Sequence, residues 1–214
     1  MSEIVTLVDY GSGNLLSVAR AFEHCGAQVR VTSDAAEVAA AARLVLPGVG
    51  AFADAMTSLR EAGLVEPILR FAETGRPLLG ICLGMQMLGQ ASEEFGEHAG
   101  LGLVPGRVTA IPDRDTAGAP LKRPHIGWSE LHLPEGRASW QGTCLQDVAV
   151  GAAVYLVHSF HFVATNPADV LAECHFGGHR ITTAIRSNAV TGCQFHPEKS
   201  GTVGLSIVRS FIAS

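Results

Sequence analysis

Apolar runs and amphipathic stretches alternate through the first ninety residues of the chain. Ile4–Val8 is mainly apolar and closed by Asp9, which predicts a buried strand, then the turn Tyr10-Gly11-Ser12-Gly13-Asn14 and a helix through about His24. Gln28–Thr32 predicts a second strand, with Ser33 and Asp34 placed to cap a short alanine-rich helix. Leu44-Val45-Leu46 predicts a third strand, stopped by Pro47-Gly48. Helical patterns follow around Ala51–Arg60 and Leu64–Glu73. The strand Leu78–Ile81 then runs straight into Cys82 and another helix. Continuous apolar strands alternating with helices imply a parallel sheet covered on both faces.

The second half changes character. Val104–Ile111, Leu131–Leu133, Tyr155–His158, Val170–His175, Ile181–Arg186 and Ala189–Phe195 all read as strands. Gly177-Gly178 and Ser187-Asn188 are tight turns between some of them, so antiparallel strands are expected beside the parallel ones. Thr202–Ala213 predicts a closing helix, and 112–147 is the most irregular stretch. No repeat, linker or low-complexity segment divides the chain. The expectation is one α/β domain over 1–214: a mainly parallel central sheet flanked by helices, with added antiparallel strands.

Composition narrows the function classes. Of 214 residues, 47% are hydrophobic and 16% charged, enough to bury a large core. The net charge of −5, with Lys and Arg scattered, gives no basic stripe for nucleic acid. No apolar run reaches the roughly 18–20 residues of a membrane helix, and the N-terminus has no basic leader-like region. The five cysteines (Cys25, Cys82, Cys144, Cys174, Cys193) form no CxxC pair and no disulfide framework, which points to a reducing, cytoplasmic setting.

One of those cysteines sits where a nucleophile would. Gly80-Ile81-Cys82-Leu83-Gly84 places Cys82 between glycines at a strand-to-helix junction, the elbow pattern with Cys in place of Ser. A turn that sharp leaves no room for side chains at the flanking positions, hence glycine. On position alone, a Cys after an apolar strand is usually a small buried hydrophobe, and the two glycines and the following helix shift the reading toward a nucleophile. The base that would decide it stands at Phe195-His196-Pro197-Glu198. His196 follows a predicted strand at the same sheet edge as the elbow, and Glu198 can fix its tautomer. Taken alone, His-Pro-Glu is also a plausible capped turn. Histidines 158, 161, 175, 179 and 196 show no metal-ligand spacing, so no metal is expected.

Together, Gly-Ile-Cys-Leu-Gly-Met-Gln (80–86) and Gln-Phe-His-Pro-Glu-Lys-Ser (194–200) resemble the class I, or triad, glutamine amidotransferases, over essentially the whole chain. Asp9–Leu15, Leu46–Phe52 and Pro124-His125-Ile126-Gly127-Trp128 resemble the glutaminase subunits of imidazole glycerol phosphate synthases. The resemblance implies a triad of Cys82, His196 and Glu198, with an oxyanion strand at Pro47-Gly48-Val49-Gly50 that donates the Val49 N–H alongside that of Leu83. It implies contact of Gln86 with the amino-acid moiety of L-glutamine, and a carboxylate seat on the backbone of His158-Ser159-Phe160. It further implies a (β/α)8-barrel cyclase partner in a heterodimer, faced by Asn14, Trp128, Tyr155 and Lys199, and no cofactor. Two rival readings remain open here. One is the glutaminase of another synthase, such as that of pyridoxal phosphate; the other is a catalytically idle regulatory module of the same fold.

Overall fold

The computed structural model describes residues 3–214; Met1 and Ser2, the start of the segment inspected for a leader, lie outside the described residues. Strands β1 (Ile4–Val8), β2 (Gln28–Thr32), β3 (Leu44–Gly48) and β4 (Leu78–Cys82) alternate with helices α1 (Leu15–His24), α2 (Ala35–Ala40), α3 (Phe52–Glu61) and α4 (Val65–Glu73). Helix α5 (Leu83–Met87) follows β4 without a loop. Then come β5 (Ala91–Ser92), β6 (His98–Ala99), β7 (Gly106–Ala110), β8 (His125–Glu130), β9 (Ala153–His158) and β10 (Phe160–Ala164). The chain ends with β11 (Val170–Phe176), β12 (His179–Ser187), β13 (Val190–Cys193) and α6 (Gly201–Ile212).

The central sheet has seven strands in the order β11-β12-β13-β4-β3-β1-β2. From β13 to β2 every pairing is parallel, whereas β12 and β11 are antiparallel additions. Strand period decides which residue joins which face. Along β3, Leu44 and Leu46 pack with Phe52, Met56, Ile68 and Phe71 on one side, while Val45 packs with Phe22, Phe195 and Phe211 on the other. Helix α1 buries Val18, Ala19, Ala21 and Phe22, the helical spacing of a single apolar stripe. Burying a side chain such as Phe22 contributes about 1.5–3 kcal/mol. Asp34 caps α2 as its position suggested, its carboxylate accepting from Ala36 N at 2.8 Å and Glu37 N at 2.9 Å. Among the described residues no helix is long and apolar enough to cross a membrane.

Four expectations need correction. Pro47-Gly48 does not stop β3; both residues stay in register with Ile81 and Cys82 of β4. Proline is tolerated there because β1 pairs only as far as Val45, so its missing N–H breaks no bond on that side. The strand expected at Leu131–Leu133 lies upstream, at His125–Glu130, leaving His132 a single bridge to Glu173. Its residues alternate buried His125 with exposed Ile126 and Trp128, a pattern that an apolar-run criterion passes over. Strand β10 was not foreseen at all. Finally, the extra strands do not all extend the main sheet: β10-β7-β5-β6 form a second sheet and β8-β9 a separate ribbon.

Candidate active site

Cys82 closes β4 and opens α5 with φ 56° and ψ −113°, a conformation that non-glycine residues rarely adopt. Strain of this kind costs about 1–3 kcal/mol and persists only where packing imposes it. The packing here depends on absent side chains. A Cβ on Gly84 would lie 1.8 Å from the Leu46 carbonyl oxygen, and one on Gly80 would lie 2.7 Å from that of Gly84. Glycine on both sides therefore lets α5 settle onto β3 and β4, which lifts Cys82 out at the carboxyl edge of the sheet.

The neighbouring strand supplies the opposite wall. Gly48 is the register partner of Cys82, and a Cβ on it would come within 2.8 Å of the Tyr10 hydroxyl oxygen and 2.9 Å of Gly84 N. Beyond it, Val49 is 41% exposed and Gly50 has φ +96°. Two hydroxyls from the loop after β1 hold this segment: Tyr10 Oη donates to Pro47 O at 2.9 Å and Ser12 Oγ donates to Val49 O at 3.0 Å. Burial pushes the Tyr10 phenol well above its ordinary range, so it stays a donor.

His196 follows β13 and enters the short 3₁₀ turn Pro197–Lys199. Its Nδ1 lies 2.8 Å from Glu198 Oε1, with both side chains almost completely buried. The carboxylate can only accept, so Nδ1 carries the proton and Nε2 is left for Cys82. Burial pushes the imidazole toward its neutral form. Hydrogen bonding to Cys82 and to Glu198, with their charges, outweighs that and raises the pKa to about 9. The backbone is clamped as well: His196 N donates to Tyr155 O at 3.0 Å, Ser200 Oγ donates to His196 O at 2.7 Å, and Tyr155 N donates to Ser200 Oγ at 3.0 Å.

These groups border a cavity of about 340 Å³ lined by Val49, Gly50, Cys82, Leu83, Gln86, Glu94, Ser159, Phe160 and His196, among others. The structure thus brings together every residue expected of the triad, the oxyanion wall and the substrate seat. Of the expected partner-facing residues, Trp128 and Tyr155 meet edge to face at 6.1 Å, and Trp128 is 59% exposed. Asn14 precedes α1, which packs against the 3₁₀ turn carrying Lys199.

Three contributors were missed. Glu94 reaches the cavity with one oxygen 2.7 Å from Phe52 N. Gln194, fully buried, accepts from Gln86 Nε2 at 2.9 Å and turns its own amide nitrogen to Cys82 Sγ at 3.8 Å. Its place two residues before His196, just past the strand β13, was the available signal. Ser200, the clamp just described, closes the 194–200 motif, where the sequence gives it no role of its own.

Comparison with known proteins identifies the family. The family model of class I glutamine amidotransferases matches residues 6–213. Subunit HisH 1 of imidazole glycerol phosphate synthase from Legionella pneumophila (strain Lens) is 49% identical over 208 residues, 97% of this chain and 98% of that protein. Subunit HisH of the same synthase from Syntrophotalea carbinolica is 47% identical over 209 residues, again 97% and 98% of the two chains. Among solved structures, PurLQS from Thermotoga maritima superposes with a TM-score of 0.73 at 20% identity, covering 100% of this chain and 98% of the other. A crystal structure of a glutamine amidotransferase gives 0.71 at 18% identity, with 97% of each covered.

Proposed function

The chain belongs to the class I glutamine amidotransferase family, and on that premise we propose that it is the glutaminase subunit of an imidazole glycerol phosphate synthase. The observation that carries the chemistry is the buried His196–Glu198 pair, 2.8 Å apart, beside a cysteine held at positive φ on the wall of a cavity. Kinship with relatives named as synthase subunits, at 49% identity over nearly the whole length, carries the assignment to that synthase.

In this reading the Cys82 thiolate attacks the side-chain amide carbon of L-glutamine. The oxyanion that forms is held by the N–H groups of Val49 and Leu83, and removing one such donor typically costs about 10²–10³ in rate. Collapse breaks the C–N bond, and the His196 imidazolium gives its proton to the departing ammonia. Water, deprotonated by His196, then hydrolyses the γ-glutamyl thioester and releases glutamate. Glu198 fixes the tautomer and steadies the imidazolium throughout. Both N–H bonds of Gln86 go to Phe160 O and Gln194 Oε1, so its own amide oxygen is left to accept from the substrate. Glu94 offers a carboxylate to the substrate ammonium, and the Ser159-Phe160 backbone offers a seat for its carboxylate.

The partner in this reading is a (β/α)8-barrel cyclase subunit, bound as a cytoplasmic heterodimer, which receives ammonia and makes imidazole glycerol phosphate for histidine synthesis. Exposed Trp128 and Ile126 on β8 give it an apolar landing beside the cavity. Glutamate release is measured for the chain alone and again with the cyclase subunit and its ribonucleotide ligand. Strong stimulation by both together is the expected result. Equal turnover in the two samples would assign the glutaminase to a different synthase.

A further inference from the structure

Two buried histidines link the cavity wall, which His158 lines, to strand β8, which carries His125, and neither side chain has a role in the chemistry described so far. His125 of β8 and His158 of β9 are register partners. Nδ1 of His125 is 3.3 Å from Nε2 of His158, and Nδ1 of His158 is 2.8 Å from Phe160 O. At the outer end, Ser129 Oγ is 3.0 Å from Nε2 of His125. The proton positions follow from one fact, that a carbonyl oxygen only accepts. Nδ1 of His158 therefore carries a proton, which in a neutral ring leaves Nε2 an acceptor. That acceptor takes the Nδ1–H of His125, whose Nε2 in turn takes the Ser129 hydroxyl proton. Any other neutral assignment breaks a bond in the chain.

The surroundings favour neutral rings. Burial lowers His158 to about 4; its bond to Phe160 opposes that, and His125 and His161 add to it. Burial lowers His125 as well, and Phe176 stacks on that ring at 4.4 Å. At the inner end, Phe160 O accepts a second bond from Gln86 Nε2 at 3.1 Å, so both of its lone pairs are committed.

We infer that Ser129, His125 and His158 are positioning residues: their hydrogen-bond chain fixes the Phe160 carbonyl, and through it orients the Gln86 amide that meets glutamine. The inference rests on the glutaminase reading of the cavity. Gln86 meets the part of glutamine that does not react, and uniform binding of that kind sets KM rather than kcat.

The test has two parts. Long-range ¹H–¹⁵N spectra of the intact chain at neutral pH report the tautomers directly, with no need for activity. Both rings are expected as neutral Nδ1–H forms, and an Nε2–H form of either ring overturns the chain. The second part measures glutamine turnover in the complex with the cyclase subunit. His125→Phe keeps the stacked ring but leaves His158 Nε2 without a donor, so KM is expected to rise about tenfold with kcat within about twofold. His125→Asn restores a donor near the Nδ1 position and should return KM to within about threefold of wild type. Ser129→Ala, at the half-exposed end where folding is not at risk, should raise KM about threefold and shift the His125 Nε2 resonance. An unchanged KM in both His125→Phe and Ser129→Ala, or a fall in kcat alone, overturns the inference. A wild-type complex that releases no glutamate defeats the glutaminase reading instead, while the tautomers still decide the hydrogen-bond chain.

Discussion

Two cavities of about 340 Å³ each open on this chain, and each has a cysteine in its wall. One lies at the amino ends of β4 and β13, where Cys144 sits with Pro77, Arg186, Thr191 and Ser214 and no His, Asp or Glu joins the lining. The other lies at the carboxyl ends of the same strands, where Cys82 meets His196, Gln86 and Glu94. Beside Cys144, its neighbour Cys193 is fully buried, and the neighbouring thiol together with burial pushes Cys193 far up, toward the inert protonated form. A thiol and a hole of the right size thus do not make a reactive site. In parallel strands the segments leaving the carboxyl ends converge from several connections, so Cys82, the Pro47–Gly50 segment and His196 all meet at one edge. The amino edge receives no such convergence.

The largest effect expected from this contrast is on turnover. Cys82→Ala should lower glutamine-dependent activity by at least about 10⁴-fold while leaving ammonia-dependent synthesis by the partner intact. Cys144→Ala should stay within about twofold of wild type. Comparable losses in the two variants would erase the distinction between the edges. Next, Glu198→Gln replaces the carboxylate, which only accepts, with a neutral amide that can turn its NH2 to Nδ1 and select the wrong His196 tautomer, and glutaminase kcat is expected to fall about 10²–10⁴-fold with KM little changed. A smaller but structural effect concerns the elbow itself. Gly84→Ala forces a Cβ against the Leu46 carbonyl and should cost about 3 kcal/mol or more, read as a shift in the urea midpoint. Gly142→Ala at the other cavity has no neighbour within 4 Å; with φ +72° it should cost only about 1 kcal/mol, from backbone strain.

The subtlest test is titration. The pKa of His196 is raised to about 9, and a raised histidine contributes stability that is complete below its unfolded value and lost as pH climbs through the folded one. The contribution of the pair should therefore be full below about pH 6.5 and disappear as pH passes about 9. Glutamine turnover should decline over that same upper limb, since a neutral imidazole cannot protonate the leaving ammonia. In Cys82→Ala the His196 resonance should titrate at lower pH, because Cys82 is one of the groups that raises it. An unshifted titration would mean that thiol and imidazole do not sense each other.

Much of this was legible in the order of residues. Strands β1 to β4, their helices and the elbow follow from apolar period and glycine placement, which act over a few residues and leave a local trace. The proposed triad could be named because Cys82 and the His196–Glu198 turn each carry a short signature. Strands β8 and β10, in contrast, draw their order from pairing with distant segments, and their half-exposed patterns are weak alone. Glu94, Gln194 and Ser200 acquire roles only when the fold sets them against Phe52, Gln86 and Tyr155, 42, 108 and 45 residues away in sequence. The histidine chain is the extreme case, since His125 and His158 meet only because β8 and β9 pair in register. Sequence by itself determined which residues could do the chemistry, through local sterics and side-chain type. Tertiary structure decided which of them meet, because hydrogen bonds and burial act through space and not along the chain.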